Sequence, residues 1–314
     1  MTGIVTLGET MGLFSAASIG SLAHVDSFRL GIGGAESNVA IGLARLGVAA
    51  TWIGRVGADE VGDLVRRELL AEGVALRLRV DDAAPTAIMI KSRRTASHTR
   101  VLYHRAGSAG SRLSPDDVDA ELVRGADILH VTGITPALSS SAAAAIDRAI
   151  ELANDAGVPV SFDVNHRSAL WSSERASAVY RSIAARSTVV FAGLDEAQML
   201  CDSNDGAPAL AAAISALGPR EVIVKLGPHG CHALLDGAAF DVPAIRVDVV
   251  DTVGAGDAFV AGYLAERRAG SIPEARLTTA VRCGAFACLG LGDWESLPTH
   301  GDLALLTREE PVDR

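Results

Sequence analysis

The sequence predicts a doubly wound α/β fold, a mostly parallel sheet covered by helices on both faces, with a small β-lid at one side. Three observations carry this. Short apolar runs alternate with helical segments along most of the 314 residues, as in successive βα units. A hydrophobic content of 49% with only 4% aromatics indicates a globular protein with a mainly aliphatic core. One stretch, Thr86 to His104, breaks the alternation and reads as a hairpin.

In chain order, Ile4 to Leu7 is a buried strand ending at Gly8-Glu9. Gly34 to Leu46 is a helix that starts at a glycine turn and stops at Gly47; Val48 to Ile53 is the next strand. Gly62 to Ala71 is an amphipathic helix with Gly73 as its C-cap. Thr86 to Ile90 and Arg100 to His104 are short strands around a basic, polar turn from Lys91 to Thr99. With Leu13 to Leu30 they make the lid, so residues 13–31 and 77–107 are assigned to the β-lid and residues 1–12, 32–76 and 108–314 to the core. From Ser114-Pro115 a capped helix runs to Arg124, followed by a strand at Ile128 to Val131. Ser139 to Asn154 is an alanine-rich helix, and further strands are expected at Val158 to Asp163, Thr188 to Phe191 and Glu221 to Lys225.

The charge balance narrows the partners. A net charge of -10 supplies no basic stripe for counterion release, so nucleic acid is not expected as a partner. Lys91 and Lys225 are the only lysines, and no Gly-Lys-Ser/Thr exists, which removes a P-loop. The four cysteines, Cys201, Cys231, Cys283 and Cys288, have no CxxC or zinc-like spacing and are expected as buried free thiols. Neither a signal peptide nor a membrane span is expected, and the expected location is cytoplasmic.

In a doubly wound sheet, ligands sit beyond the carboxyl ends of the strands. That rule gathers Glu9, the Gly33-Gly34 turn, Asp163 to Arg167, Lys225 to Gly230 and the turn from Gly254 to Asp257. The last is the most informative. In Asp251-Thr-Val-Gly-Ala-Gly-Asp257-Ala-Phe, Gly254 and Gly256 lack Cβ atoms, so their N–H groups can close on an anion. The helix from Asp257 to Ala269 would aim its positive end at the same place. An anion cradle beside a carboxylate suits phosphoryl transfer to a hydroxyl. Taken alone, the stretch reads better as a glycine turn with Asp257 as helix N-cap.

A second motif changes that balance. Gly33-Gly-Ala-Glu-Ser-Asn38-Val-Ala-Ile-Gly-Leu-Ala-Arg-Leu-Gly47 resembles the amino-terminal signature of the ribokinase-like (PfkB) carbohydrate kinases, and the 251–259 stretch resembles their carboxy-terminal one. The resemblance covers essentially the whole chain. It implies a Rossmann-like core with a β-lid and transfer of the ATP γ-phosphoryl group to a sugar hydroxyl, with ATP and Mg²⁺, and a monovalent cation as a further candidate. Asp257 would be the base, its pKa little raised, and the amides of Gly254, Ala255 and Gly256 would hold the transferring charge. Gly33, Gly34 and Asn38 would face the sugar. Lys225, Gly227 and Gly230 resemble the nucleotide-side loop, where an ordinary hairpin turn is the competing reading. The family's Asn-x-x-Glu element is half present in Gly193-Leu-Asp-Glu196, leaving Glu196 as a metal candidate acting through water.

Substrate choice rests on further stretches. Tyr103-His-Arg105-Ala-Gly-Ser-Ala and Asp163-Val-Asn165-His-Arg167-Ser-Ala-Leu-Trp171 resemble those of 2-keto-3-deoxygluconate kinases, as does Gly292-Asp293, where Asp293 would contact the sugar. Physically, a sugar acid brings a carboxylate that a guanidinium can answer with two parallel hydrogen bonds. Arg105 and Arg167 are the candidates, with Tyr103 offering a phenol; Asn165 and Arg167 are also placed on the nucleotide side. Met89, where relatives can offer a tyrosine, supplies no hydrogen bond. The leading expectation is a kinase for a keto-deoxy sugar acid phosphorylated on its terminal hydroxyl, with a neutral-sugar kinase as the alternative and a non-catalytic sugar sensor behind both. The short lid strands leave edges whose pairing would join two copies into a dimer.

Overall fold

The structure, a computed structural model, describes residues 3–95 and 98–307. Its larger sheet has nine strands: β1 (Ile4–Leu7), β4 (Ala50–Gly57), β5 (Ala75–Asp81), β8 (Ile128–Thr132), β9 (Val160–Asp163), β10 (Val189–Gly193), β11 (Glu221–Lys225), β12 (Cys231–Leu235) and β13 (Ala238–Val242). They lie in the order β13-β12-β11-β10-β9-β8-β1-β4-β5. The seven from β11 to β5 run parallel, and β12 and β13 close one edge as antiparallel strands. The second sheet contains β2 (Met11–Ile19), β3 (Phe28–Gly33), β6 (Ile88–Thr95) and β7 (His98–His104), ordered β3-β2-β6-β7.

Helices cover both faces of the large sheet, which makes the fold doubly wound. One layer holds α1 (Ala35–Arg45), α2 (Glu60–Ala71), α9 (Ala255–Arg268), α10 (Pro273–Ala287) and α11 (His300–Leu303); its core includes Ile41, Trp52, Phe191 and Tyr263. The other holds α3 (Ala120–Arg124), α5 (Ser140–Asp155), α6 (Ser173–Ala184), α7 (Leu194–Cys201) and α8 (Ala207–Ser215), around Val5, Ile146, Phe162 and Val190. A short α4 (Thr135–Leu138) follows β8. Side chains alternate across each strand, so Ile4 and Val5 serve opposite layers. The chain order reverses between β1 and β8, and a crevice opens there at the carboxyl ends of the strands.

Several boundaries differ from the sequence reading. Residues 77–81, assigned to the lid, lie in β5 and pair with β4 in the large sheet. The small sheet instead begins at Met11 and takes β3 through Gly33. The stretch expected as a polar turn from Lys91 is strand through Thr95, because β6 continues pairing with β7 across it. The expected helix from Ser114 is a 3₁₀ turn at Pro115–Asp117 followed by the five-residue α3. All four cysteines are free, but only Cys231 and Cys283 are buried; Cys201 and Cys288 are half-buried. Among the described residues, no helix is long and apolar enough to cross a membrane.

Candidate active site

A cleft of about 980 Å³ lies between the small sheet and the carboxyl edge of the large one, the size range of small-molecule sites. Its floor is the start of α9. Gly254 caps that helix with φ of +79°, and a Cβ there would sit 1.9 Å from the Asp293 carbonyl oxygen. Only glycine fits the position. Gly256 has no such constraint: the atom nearest its missing Cβ is Lys225 Nζ at 3.7 Å. Its side of the turn is open to a ligand. Ala255, grouped with them by its motif, does not line the cleft, and its N–H donates to the Thr252 carbonyl at 3.3 Å.

Asp257 stands in the first turn of α9 and is buried. Asn38, buried on α1, donates from Nδ2 to Asp257 Oδ2 at 2.8 Å, while Asn38 Oδ1 has no partner. The two signatures, 219 positions apart, therefore meet in one hydrogen bond. Burial pushes the Asp257 carboxyl up to about 7; Asn38, Arg167 and Lys225 oppose the rise, and the Asp163 charge adds to it. This corrects the expectation of a little-raised pKa. Desolvation outweighs the helix terminus here.

On the small-sheet side, Met89 and Tyr103 pair across β6 and β7 and both line the cleft. Arg105 is not a free guanidinium. Its Nε and Nη2 reach Glu9 Oε2 at 2.8 and 2.6 Å, and it lies over the Tyr103 ring at 5.5 Å. Glu9, buried after β1, also accepts from Ser108 Oγ at 2.7 Å. Arg167 lines the cleft too, but it is exposed, and its Nη1 donates a 3.4 Å bond to the His166 carbonyl. Gly34 lines the cleft beside Glu36, whose Oε1 accepts from Thr132 and Thr135 at 2.7 and 2.6 Å. Gly33 does not line it: a Cβ there would meet Met89 Cε at 2.3 Å and Asp293 Oδ2 at 2.8 Å. The double glycine is thus accounted for by packing; at Gly34 the obstacle is the Glu9 carbonyl at 2.3 Å.

On the opposite side, Lys225 ends β11 and places Nζ 2.8 and 3.0 Å from the two Asp163 oxygens. Burial alone would lower its pKa, but Asp163, Glu196 and Asp257 outweigh it, so the ammonium is held above its ordinary value. Asn165 adopts φ of +40°, a left-handed conformation asparagine tolerates, and lines the cleft with Gly227. Gly230 lies outside it: φ is +94° and a Cβ would sit 1.9 Å from the Val242 carbonyl, so this glycine serves the crossing of the β11–β12 hairpin with the end of β13. Glu196 lines the cleft, yet Oε1 accepts from the His166 N–H and Oε2 from the Gly193 N–H, both at 2.7 Å. Among the described residues, no group of three or more histidine, cysteine or carboxylate side chains could hold a metal.

One site residue lies where a basic, polar turn was expected from the sequence. Lys91 is buried on β6, lines the cleft, and sets Nζ 2.8 Å from Asp251 Oδ2 and 3.3 Å from Asp293 Oδ1. Its available signal was the alternation Met89, Lys91, Arg93 against Ile88 and Ile90, which puts it on the inward face.

A doubly wound sheet, a glycine-led helix terminus at its carboxyl edge and a buried carboxylate poised near neutrality define a group-transfer enzyme for small polar substrates. The chain matches the pfkB family carbohydrate kinase over residues 1–300 and belongs to that family. It is 35% identical over 306 residues to the 2-dehydro-3-deoxygluconokinase of Bacillus subtilis (strain 168), covering 96% of this chain and 94% of that protein. It is 31% identical to a probable fructokinase-4 of Arabidopsis thaliana, covering 97% and 96%. The crystal structure of a 2-dehydro-3-deoxygluconokinase from Thermotoga maritima superposes with a TM-score of 0.86 at 25% identity, covering 96% of this chain and 97% of that one.

Proposed function

We propose that this carbohydrate kinase transfers the γ-phosphoryl group of ATP to the terminal hydroxyl of a sugar acid of the 2-keto-3-deoxygluconate type. The observation that carries the reading is Asp257: a buried carboxyl raised to about 7, held by Asn38, in the first turn of a glycine-led helix. In that position it accepts the hydroxyl proton as the new O–P bond forms and the bond to the ADP oxygen breaks. The open Gly256 side of the turn receives phosphoryl oxygens, with Lys225 beside it. The unpartnered Asn38 Oδ1 is a ready acceptor for a sugar hydroxyl.

Asn165, Lys225 and Gly227 line the cleft and are assigned to the nucleotide in this reading. Mg²⁺ would fit this chain as an ion held chiefly by phosphate oxygens and water, with a carboxylate, Glu196, lining the same cleft. Glu196 is the cleft carboxylate assigned to it through water, and Mg²⁺ when bound neutralises phosphate charge. Arg167 is the guanidinium free to answer a sugar carboxylate. Tyr103 and Asp293 border the same space.

A neutral-sugar kinase is the second reading. It is favoured by Arg105, whose fork is already spent on Glu9, and by the apolar Met89 in the sugar wall. Coupled ADP release across neutral sugars, aldonates and keto-deoxy acids, for wild type and Arg167→Met, separates the two. A keto-deoxy acid should be turned over best, and Arg167→Met should weaken it by about tenfold or more in kcat/KM while sparing neutral sugars. Best turnover of fructose or ribose moves the assignment to the second reading. No turnover of any sugar overturns both.

A further inference from the structure

The Lys91 ammonium joins three parts of the molecule that are distant in sequence. Its strand belongs to the small sheet, Asp251 opens the 251–257 turn, and Asp293 lies in the loop after α10. The three side chains are 8%, 6% and 11% exposed. Each carboxylate is in turn built into the cradle. Asp251 Oδ1 accepts from the Val253 N–H at 3.3 Å. The Asp293 carbonyl oxygen lies 1.9 Å from where a Gly254 Cβ would be, so the loop and the turn touch backbone to backbone. Two buried carboxylates this close repel unless a cation stands between them. Arg93 adds only a longer 3.8 Å contact to Asp251.

We propose that Lys91 is a positioning residue for phosphoryl transfer: a covalently attached cation that neutralises Asp251 and Asp293, fixes the 251–257 turn and couples it to the small sheet. Its ammonium does not touch the reacting atoms. It sets the shape of the surface that does. Because the chain supplies this charge itself, the turn has no need of an exchangeable monovalent cation at that place. The kinetic consequence rests on the kinase reading; the structural one does not.

Lys91→Met keeps the length of the side chain and removes the charge. In the protein without substrate, hydrogen exchange of a peptide spanning residues 249–258 should speed up in Lys91→Met and slow again when ammonium or K⁺ is added. Turnover should fall by about 10²-fold, the cost of misplacing a reacting group by about 1 Å, with the sugar KM changed far less. Added ammonium or K⁺ should recover part of kcat. A role in packing alone would give a loss that no cation restores, and that result overturns the proposal. So does unchanged exchange in the 249–258 peptide.

Should Lys91→Met fail to fold, wild type carries the test. Replacing KCl by tetramethylammonium chloride at constant ionic strength should alter neither the exchange of that peptide nor turnover. Stimulation by K⁺ of more than about tenfold, equal to about 1.4 kcal/mol, overturns the proposal. The exchange arm is read without any sugar, so absence of turnover on every substrate would sink the kinase reading and leave this inference standing on its own result.

Discussion

Asp257 is a catalytic candidate whose own burial opposes the fold. Its carboxyl ordinarily titrates near 3.8, and burial raises it to about 7. Between those values the unfolded chain loses the proton and the folded chain keeps it, so stability falls as pH rises through this window. Above about 7 the full penalty is present; below 3.8 there is none. Asp257→Asn should therefore raise the melting temperature at pH 8 by more than at pH 4, while lowering kcat by about 10²-fold or more, the range for a positioned base. The pH profile of wild-type kcat/KM should rise with unit slope to about 7 in the free enzyme and flatten above it. Thermal unfolding at the two pH values and a pH–rate profile read both effects. A variant destabilised at pH 8, or one with near-wild-type turnover, would remove Asp257 from this role.

The α9 turn shows what glycine does at the level of one element. Gly254 and Gly256 look equivalent in the sequence, and the structure separates them. At Gly254 a methyl group would need both a left-handed backbone and space held by the Asp293 carbonyl. At Gly256 the space is open in the protein, so any obstacle a methyl meets there belongs to the ligand. Gly254→Ala should lower stability by about 1–3 kcal/mol and lose activity. Gly256→Ala should melt within about 0.5 kcal/mol of wild type yet lose about tenfold or more in kcat. Paired unfolding and kinetic measurements decide it, and full activity in Gly256→Ala would mean no phosphoryl oxygen approaches that backbone.

How much was legible follows the range of the signal. The strand at Glu221–Lys225 coincides with its expected limits because a short apolar run ends at Leu-Gly-Pro. The helix from Ser139 was visible through its cap, whose hydroxyl accepts from the Ala142 N–H. Most of the candidate residues do line one cleft, because the carboxyl-edge rule is topological and the strand order obeys it. What the sequence could not supply were pairings between distant segments. Nothing local to Lys91 reveals Asp251 and Asp293, so its basic neighbourhood reads as a polar turn. Nothing local to Arg105 reveals that Glu9 already holds it.

At the scale of the whole molecule, the small sheet has two faces of different character. Leu13, Met89 and Tyr103 lie in register on the face toward the cleft. One residue along each strand, Leu30, Phe14, Ile90 and Leu102 form a row across all four strands on the other face. None of these four is buried, and Leu30 is 52% exposed, with Phe28 two residues before it at 42%. The sequence suggested a dimer joined through strand edges; the structure adds an apolar face as a further place where a second copy could dock. The expected occupant is a second copy stacked face to face, since a self-complementary patch closes a twofold dimer with no further partner. Light scattering should then report twice the chain mass, and Leu30→Glu, on an exposed side chain with little folding role, should halve it. Burying the row would also stiffen the wall that carries Met89, Lys91 and Tyr103, so the monomeric variant should lose sugar affinity, with KM raised by about threefold or more while its melting curve still shows a single folded state. A wild-type monomer at working concentration would remove both the dimer and this link between assembly and the site.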